Sequence, residues 1–323
     1  MTPSNIDISE TSLRRHADML ELLLRDQTTG KKILWGTDSY KDNGKGFAPK
    51  NNVRAGLVTG IYGQLIQPRA AKKIEEQRQR TIEKGEVFTP LSIVRKMNST
   101  VDQAAVENQL FRRTWKDYVS ELKLEIACGE APFIVSRYNP TAHTGKIIEL
   151  RNRVGFLDHK LHKVSQHCKA PKEWLSWAKV AFQSSYGYEW QGDNLLIARE
   201  NLLYSLTDYY KAKFGRAPTL AVQQEFAEII SWNIFQMDGL KYVVPMSCRH
   251  ETKIILGKNT LFGVEEDVVE ENECEGCKFN RPDKHNGKYV HIMNWSTKKP
   301  VRFLDLINNK EADSWLDNHR GIN

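Results

Sequence analysis

The spacing of apolar residues divides the chain into stretches with different hydrophobic patterns. Residues 8–27 carry an apolar stripe at helical spacing, which predicts a capped amphipathic helix. Its apolar side comprises Leu13, Met19, Leu20, Leu22, Leu23 and Leu24. Residues 32–66 are richer in Gly, Asn and aromatic side chains, which predicts loops with short strands. Between 121 and 240, apolar runs alternate with helical patterns, which predicts a mostly parallel sheet in an α/β fold.

The segments between these stretches predict further helices, whereas the end of the chain does not. Residues 72–85 form a highly charged helical pattern. In GEVFTP, Pro90 is suited to the first turn of a helix that runs through LSIVRKMNSTV. Residues 101–119 are again helical in pattern. After 245 the chain becomes polar and irregular, with little periodic order.

These patterns together predict three regions. A helical and loop-rich N-terminal region covers 1–84, an α/β region covers 85–245, and a small C-terminal appendix covers 246–323. The boundary near residue 120, where the α/β pattern begins, is not sharply defined, because GEVFTP can pack onto the sheet of the α/β region. With 323 residues, the chain can bury a sizeable core in one large domain or two smaller ones.

Composition narrows the class of protein. The chain is 40% hydrophobic and 27% charged, as is usual for soluble globular proteins. No apolar stretch approaches the roughly 20 residues that cross a bilayer, and the N-terminus lacks the apolar core of a secretory signal. Five cysteines, an odd number, argue against a disulfide framework and favour a reducing compartment. We therefore expect a cytoplasmic protein without membrane contact.

The chain is basic, with a formal net charge of +7 and a pI near 9.0. Such a balance is expected of a nucleic-acid-binding protein and is unremarkable for an enzyme that acts on small anions. Cations crowd one stretch: Arg69, Lys72, Lys73, Arg78, Arg80 and Lys84. Acidic residues are interleaved with them, so two interpretations stay open: a solvated helix face, or a surface that contacts DNA phosphates.

Three acidic residues follow apolar runs in sequence. Glu125 lies in LEIACGEAPF, Glu189 ends YGYEW, and Asp238 lies in NIFQMDGL. Acidic residues at the carboxyl ends of consecutive parallel strands line one crevice of a doubly wound sheet. There the first could engage an amino group, the second ribose hydroxyls and the third an adenine amino group. The alternative is that each is a cap or turn residue.

The segment around Glu125 also contains a turn suited to ligand binding. LEIACGEAPF predicts a strand, a turn at Cys128 and Gly129, and the small-residue start of a helix. Such a turn lets a ligand approach the backbone closely. Together with the strand that ends in Glu189, it points to a nucleoside-bearing cofactor.

Four motifs, taken in order, resemble a known enzyme family. GEVFTP, LEIACGEAPF, YGYEWQGDNLLIARENLL and NIFQMDGL, over roughly 65–245, resemble the motif series of N6-adenine-specific DNA methyltransferases. More narrowly, they are similar to the modification subunits of type I and type IIG restriction systems and to the bacterial and phage proteins called restriction endonuclease subunit M. The resemblance implies a class I, Rossmann-like, S-adenosylmethionine-dependent methyltransferase fold over 85–245.

The resemblance also implies a cofactor site. Phe88, Thr89 and Pro90 would contact the methionine end of S-adenosylmethionine. The sulfonium would be surrounded by Glu125 and the turn Cys128, Gly129, Glu130 and Ala131. Glu189 would bind the ribose, Trp190 would lie against adenine, and Asp238 would accept a hydrogen bond from the adenine amino group.

The chain departs from the family in two places. The cofactor turn opens with Glu125 and Ile126 instead of Asp-Pro, and its second glycine is replaced by Ala131, whose methyl group should crowd the cofactor. The larger departure is the absence of the catalytic Asn-Pro-Pro-Tyr loop of the family. The chain contains no Pro-Pro pair. A flipped base needs a stacking pocket, because flipping costs a few kcal/mol.

Two explanations account for the missing loop. One is a split enzyme, in which a partner chain, such as a second methyltransferase subunit or a specificity subunit, supplies the catalytic loop and most of the DNA recognition. The other is a catalytically inactive methyltransferase-fold subunit that binds DNA or a partner protein. The chain ends soon after VRFLDLI at 301–307, near where the next strand and the loop would be expected, which slightly favours the first. No catalytic residue is assigned.

The C-terminal appendix carries a candidate metal site. Cys274 and Cys277 form a Cys-x-x-Cys pair, with Cys248 and His250 before it and His285 and His291 after it. The preferred ligand set is Cys248, Cys274, Cys277 and His285, which could close a tetrahedral structural zinc site. The alternative is a pair of thiols near solvent in an acidic loop. Zinc would hold together a segment too polar to fold alone.

Overall fold

The computed structural model describes residues 17–107, 114–142, 146–255, 259–260, 263–264 and 268–308. Helix α1 (Ala17–Leu23) is part of the helix predicted over 8–27, of which residues 8–16 lie outside the described residues. The charged segment forms α2 (Ile74–Lys84), which ends at Gly85 with φ 64°. Pro90 precedes α3 (Leu91–Glu107), and α4 (Trp115–Ser120) begins at a capping box of Thr114 and Asp117. These helices agree with the predicted patterns.

The centre of the molecule is a three-stranded parallel sheet. It contains β1 (Lys123–Glu125), β2 (Ser185–Glu189) and β3 (Ile234–Gln236), in that spatial order. Leu124 lies opposite Tyr186, and Tyr188 lies opposite Phe235. The protein is therefore a mixed helix and sheet structure with a parallel sheet, which is compatible with the predicted α/β class.

Helices connect the parallel strands, as parallel pairing requires. Helices α5 (Phe156–His167) and α6 (Pro171–Gln183) lie between β1 and β2. Helices α7 (Gly192–Phe214) and α8 (Leu220–Asn233) lie between β2 and β3. Helix α7 begins with a glycine because a Cβ at Gly192 would lie 2.0 Å from the carbonyl oxygen of Leu34.

One predicted helix does not form. Instead of starting a helix, the segment after Gly129 makes successive turns, with Ala131 N–H donating to Cys128 O and Ile134 N–H donating to Ala131 O. The carboxylate of Glu125 accepts from the N–H groups of Phe133 and Ile134. The N–H of Phe133 is thus satisfied by a side chain, and that of Ile134 is shared between this carboxylate and Ala131 O. The next α-helix among the described residues is α5.

The region after 245 is more ordered than its polarity predicted. It contains the antiparallel pairs β4 (Glu251–Ile255) with β7 (Val268–Asn272) and β5 (Asn259–Thr260) with β6 (Gly263–Val264). After the short helix α9 (Glu275–Phe279), β8 (His291–Asn294) pairs with β9 (Lys299–Arg302), and α10 (Phe303–Ile307) follows. The prediction of little regular structure was wrong here, because short antiparallel pairs need no long apolar run.

The core joins the predicted regions. One hydrophobic cluster contains Leu23 and Trp35 from the N-terminal region together with Leu157 and Ile230 from the helices around the sheet. A second cluster packs Phe303 against Tyr186 and Phe235 of the sheet. The buried guanidinium of Arg199 donates to Leu23 O and to Ile234 O, which fastens α1 to β3. None of the helices in the described part of the chain is both long and apolar enough to cross a membrane.

Candidate functional site

A cavity of about 1050 Å³ opens at the carboxyl ends of β1 and β2. Seven of the residues predicted to bind a cofactor line it: Phe88, Thr89, Glu125, Cys128, Gly129, Glu189 and Trp190. The structure thus brings together side chains that are up to 102 positions apart in the chain, since they run from 88 to 190. Carboxyl ends of parallel strands are where ligands bind in open α/β sheets.

Glu189 is buried at the end of β2, and its carboxylate organises the floor of the cavity. One carboxylate oxygen accepts from the N–H of Gly129 at 2.7 Å. The other accepts from the N–H groups of Trp190 and Gln191 at 2.9 and 3.0 Å. Burial raises the pKa of Glu189 despite these donors. A buried carboxylate of this kind is stabilised by any ligand that offers it hydroxyl or cationic donors.

Glu125, at the end of the adjacent strand, shapes the turn beside it. Its two oxygens accept from the N–H groups of Phe133 and Ile134 at 3.3 and 3.1 Å. Burial raises the pKa of Glu125 well above its ordinary value, and the charge of Glu189 adds to the shift. Two carboxyl groups therefore share one cavity, where a cationic ligand would favour their ionised forms.

The turn after β1 contains a glycine in close contact with an aromatic ring. Gly129 has φ 55°, in the left-handed region. A Cβ at this position would lie 3.1 Å from the ring of Phe88, so the ring rests directly on the turn. The motif GEVFTP is thereby packed against the cofactor turn predicted from LEIACGEAPF, although the two are about 40 residues apart.

Pro90, Glu130 and Asp238 are not among the residues that line the cavity. Glu130 is buried elsewhere, where it accepts from Tyr138 Oη at 2.5 Å and from the N–H of Arg69 at 2.6 Å. Asp238 accepts from the N–H groups of Leu240 and Lys241, which makes it the organiser of a turn. Asp238 thus follows the alternative of a turn residue, whereas Glu130 belongs to a buried hydrogen-bond network with Tyr138 and the backbone of Arg69.

Ala131 also lies away from the cavity lining. It is fully buried at φ 63°. Its methyl group therefore packs inside the protein and does not border the cavity.

Asn194 was missed by the sequence patterns. It lies in the first turn of α7, lines the cavity, and is 1% exposed. Its buried Oδ1 has no hydrogen-bond partner among the described residues. Such an atom is costly unless a ligand or water donates to it. Asn194 lies five residues after Glu189, the acidic end of β2, and this spacing could have identified it as a candidate site residue.

The basic stretch is largely internal. Arg80 is buried and pairs with Glu86 and Asp193 at 2.6 Å each. Arg69 pairs with Glu86 at 3.4 Å, and Lys84 pairs with Asp38. Lys72 is also buried. Neither a solvated face nor a phosphate-contacting surface describes these four cations, because Arg69 and Arg80 pair with buried acids, Lys84 pairs with Asp38, and Lys72 is itself buried.

Lys73 and Arg78 are the two cations of the basic stretch that the structure leaves exposed. They lie before α2 and in its second turn, respectively. Any contact with phosphates along this stretch would therefore depend on them and not on the buried arginines.

The four predicted metal ligands come together in a separate cluster. Sγ of Cys248, Cys274 and Cys277 lies 3.6, 3.7 and 3.6 Å, respectively, from Nδ1 of His285. A tetrahedral zinc ion with Zn–S near 2.3 Å and Zn–N near 2.1 Å requires a separation of about 3.6 Å. All four ligand atoms lie within 4.8 Å of one another, so the cluster could hold a metal ion.

The surroundings of this Cys3His cluster are shaped for close packing. A Cβ at Gly276 would lie 2.6 Å from His285 Nδ1, so the residue directly before Cys277 must be a glycine. The N–H of Asn286 donates to Cys274 Sγ at 3.3 Å. Burial opposes ionisation of Cys274, but donors including that N–H outweigh it and lower the pKa of Cys274 to about 6. A thiolate is the form that binds metal.

Comparison with known proteins adds no assignment, since no protein-family model, curated protein or solved structure matches the chain.

Proposed function

We propose that this chain binds S-adenosylmethionine in the cavity and is a DNA adenine-N6 methyltransferase-like protein of a restriction-modification or phage system. A partner chain, such as a second methyltransferase or specificity subunit, would supply the catalytic loop. The observation that carries the proposal is the convergence of Glu125, Glu189 and the left-handed turn at Gly129 on one cavity. The class I methyltransferase fold is part of the same proposal.

The residues fit a nucleoside ligand in their donor and acceptor chemistry. A carboxylate offers about four acceptor positions, and backbone N–H groups use three of those of Glu189. One position remains for a ribose hydroxyl, and the unpartnered Oδ1 of Asn194 provides another acceptor. Trp190 offers an aromatic surface that is held in place by a hydrogen bond from its Nε1 to Gly36 O at 2.7 Å.

When bound, S-adenosylmethionine would supply a methyl group on a cationic sulfur. The chain's own part would be to bind and orient the donor, with Glu125 and Glu189 providing negative charge in the same cavity. Positioning and charge are the main contributions to such a transfer. We assign no general base, and the catalytic residues stay open.

The Cys3His cluster is proposed to bind zinc in a structural role. The three S···N distances support this metal, and three thiolates with one imidazole form a closed tetrahedral set. Zinc would then tie together segments that are 37 positions apart, from 248 to 285.

Calorimetry of the purified full chain tests the cofactor proposal. We expect saturable one-to-one binding of S-adenosylmethionine and S-adenosylhomocysteine at micromolar affinity, and no binding of ATP or NAD⁺. The absence of heat with either cofactor, in a sample shown by circular dichroism to be folded, would overturn the proposal.

A second candidate function is a catalytically inactive subunit of the same fold, favoured by the absence of any Pro-Pro pair from the sequence. A radiolabelled methyl-transfer assay on unmethylated DNA, with and without the product of the neighbouring gene, distinguishes the two. Transfer only in the presence of the partner supports a split enzyme. Cofactor binding without transfer in either mixture supports the inactive subunit.

DNA is the proposed partner of either form. Charge reversal of the two exposed cations, Lys73 and Arg78, should weaken DNA binding and reduce the slope of affinity against salt concentration. An unchanged slope would place the DNA elsewhere on the molecule.

A further inference from the structure

The acidic residues that line the cavity are unevenly compensated by cations. They are Glu83, Glu86, Glu125 and Glu189. Glu86 pairs with Arg69 and Arg80, and Glu83 is exposed to solvent. Glu125 and Glu189 are 8 and 7% exposed, and neither has an ion-pair partner among the described residues. The uncompensated buried acids therefore lie at the ends of β1 and β2.

The cations that line the cavity are engaged elsewhere. They are Lys84 and Lys123, and no arginine or histidine of the described ranges joins them. Lys84 pairs with Asp38, and Lys123 pairs with Asp102 and, at 3.4 Å, with Glu121. Two buried carboxyl groups that share a site without a counter-cation do not both ionise readily.

The two buried carboxyl groups differ in the donors that stabilise their charge. Glu189 accepts from three backbone N–H groups at 2.7, 2.9 and 3.0 Å. Glu125 accepts from two, at 3.3 and 3.1 Å, and shares the second with Ala131 O. Burial and the charge of Glu189 raise the pKa of Glu125 well above its ordinary value. Glu189 is thus the better-stabilised anion, and Glu125 is the group that holds a proton.

The other groups near Glu125 do not change this order. Burial raises the pKa of Cys128 well above its ordinary value, so its thiol stays neutral beside Glu125. Helices α3 and α5 face the cavity with Met97, Asn98 and Phe156, among other side chains that do not titrate. On α7, Asp193 is already bound to the guanidinium of Arg80.

Asn194 is a second and independent indication of a ligand. It lines the cavity and is 1% exposed, and its Oδ1 has no hydrogen-bond partner in the described part of the chain. A buried acceptor of this kind is satisfied by a ligand that brings a donor. With two buried carboxyl groups and this amide oxygen, the cavity suits a cation that also carries hydroxyl groups.

We propose that Glu125 carries a proton in the ligand-free protein and releases it to solvent when a cationic ligand binds beside it. This inference deepens the proposed function, on which it rests. The sulfur of S-adenosylmethionine carries a positive charge, which favours the carboxylate of Glu125, whereas the thioether of S-adenosylhomocysteine is neutral and leaves the proton in place. Glu125 thereby makes the site prefer the methyl donor to the demethylated product.

The preference increases with pH. Proton release and ligand binding are reciprocally linked, so affinity for the cation rises with pH until Glu125 is ionised without ligand. The neutral thioether gains nothing from this ionisation. S-adenosylhomocysteine also carries the same ammonium and carboxylate groups as the methyl donor, so it controls for the titration of those groups.

Proton counting by calorimetry on the wild-type full chain tests the proposal. Titrations in phosphate, MES and imidazole buffers at one pH give the number of protons released, because the measured heat depends on the ionisation enthalpy of the buffer. At about pH 6.5, about half a proton or more should leave with S-adenosylmethionine and none with S-adenosylhomocysteine. Between about pH 5.5 and 7, affinity for S-adenosylmethionine should rise at least about threefold, and that for S-adenosylhomocysteine should stay constant.

A matched pair of variants assigns the proton to one residue. Glu125→Gln removes the titrating group and keeps its size, so it should release no proton, and its preference for S-adenosylmethionine should fall at least about fivefold. Glu83→Gln makes the same change at the exposed acid of the lining and should keep both the proton release and the preference. Melting temperatures show whether each variant is folded. If Glu125→Gln does not fold, the proton count of the wild type decides.

Three results would overturn the inference and leave the proposed function intact. Binding of both ligands without proton release would show that Glu125 is already ionised. Equal release with both would show a response to occupancy and not to charge. Release that persists in Glu125→Gln would assign the proton to another group. The absence of heat with either ligand overturns the proposed function itself, and this inference falls with it.

Discussion

Single buried polar atoms carry the most direct information about ligand binding in this protein. Asn194 Oδ1 has no partner among the described residues, whereas Asn201, seven positions later on α7, donates from Nδ2 to Glu130 O and Tyr138 Oη. The first is costly in the ligand-free protein, and the second contributes to its stability.

The two asparagines should respond oppositely to the same substitution. Asn194→Leu should leave the melting temperature unchanged or raise it, because an unsatisfied acceptor is removed, and should weaken S-adenosylmethionine binding about tenfold, or 1.4 kcal/mol. Asn201→Leu should lower the free energy of unfolding by about 1–3 kcal/mol, because it leaves buried partners unpaired. Thermal unfolding and calorimetry measure both. A loss of stability in Asn194→Leu would mean that its side chain has a structural partner.

Glu200 is a second informative residue. It is buried in α7, its Oε2 has no partner within the described part of the chain, and burial raises its pKa from 4.5 to about 8. The pKa of Glu200 is higher in the folded protein than in the unfolded chain. The contribution of Glu200 to stability is therefore fully present below pH 4.5 and is lost as the pH rises through 8.

Glu200→Gln should therefore flatten the pH dependence of stability. Between pH 5 and pH 9, the free energy of unfolding of the variant should rise relative to that of the wild type by at most about 5 kcal/mol. Each pKa unit corresponds to about 1.4 kcal/mol. Urea unfolding at pH 5, 7 and 9 measures the difference. Parallel profiles for the two proteins would show that Glu200 does not titrate in this range.

At the scale of elements, α2 is held by charge rather than by an apolar face. Its buried residues are Gln77 and Arg80, and Arg80 bridges Glu86 to Asp193 at the start of α7. Burial opposes ionisation of Asp193, but the charges of Arg80 and Lys72, together with hydrogen bonds from Tyr40 and the N–H of Asn194, outweigh it and lower the pKa of Asp193. The helix is thus connected to the end of β2 through one guanidinium.

Arg80→Met should destabilise the protein by about 3–5 kcal/mol, because the buried carboxylates of Glu86 and Asp193 lose the cation nearest to them. The matched control is Arg78→Met, on the exposed side of the same helix, which should cost less than about 0.5 kcal/mol. Because the pKa of Asp193 is lowered in the folded state, the contribution of Asp193 to stability is present above pH 3.8 and is lost as the pH falls further. The gap between wild type and Arg80→Met should shrink in urea melts below pH 4, and a constant gap would contradict this assignment.

At the scale of the whole molecule, the Cys3His cluster joins segments that are otherwise linked by short antiparallel pairs. Val243 bridges to Tyr289, and the N–H of Arg249 bonds to the side chain of Asn286. A metal ion at the cluster would add its binding free energy to the folding of this part of the chain.

We expect the purified protein to contain one equivalent of zinc. Cys274→Ser should lose the metal and lower the melting temperature, and a chelator should do the same to the wild type. Cys168→Ala is the control, because this free, buried cysteine lies outside the cluster, so it should keep one equivalent of zinc. Metal analysis and native mass spectrometry give the stoichiometry; clearly less than one equivalent in the wild type would refute the site.

Much of the local structure was predictable from the sequence. The alternation of apolar runs and helical patterns predicted the parallel strands and the helices between them, because each pattern buries one face of its own element. Glycine at Gly129 and proline at Pro90 marked a turn and a helix start through their backbone preferences. The spacing of Cys274, Cys277 and His285 sufficed to nominate a metal site, since ligand identity and spacing are themselves local properties.

Only the tertiary structure decided which of these groups work together. It assigned Glu125 and Glu189 to a shared cavity but Glu130 and Asp238 to other roles, because the direction of a side chain depends on the donors that surround it after packing. It also turned the basic stretch inward, since the acidic partners of Arg80 lie at Glu86 and at Asp193, 113 positions away. The place of β1 at the edge of the described sheet has no counterpart in local patterning, because an edge exists only once strands have been ordered in a sheet.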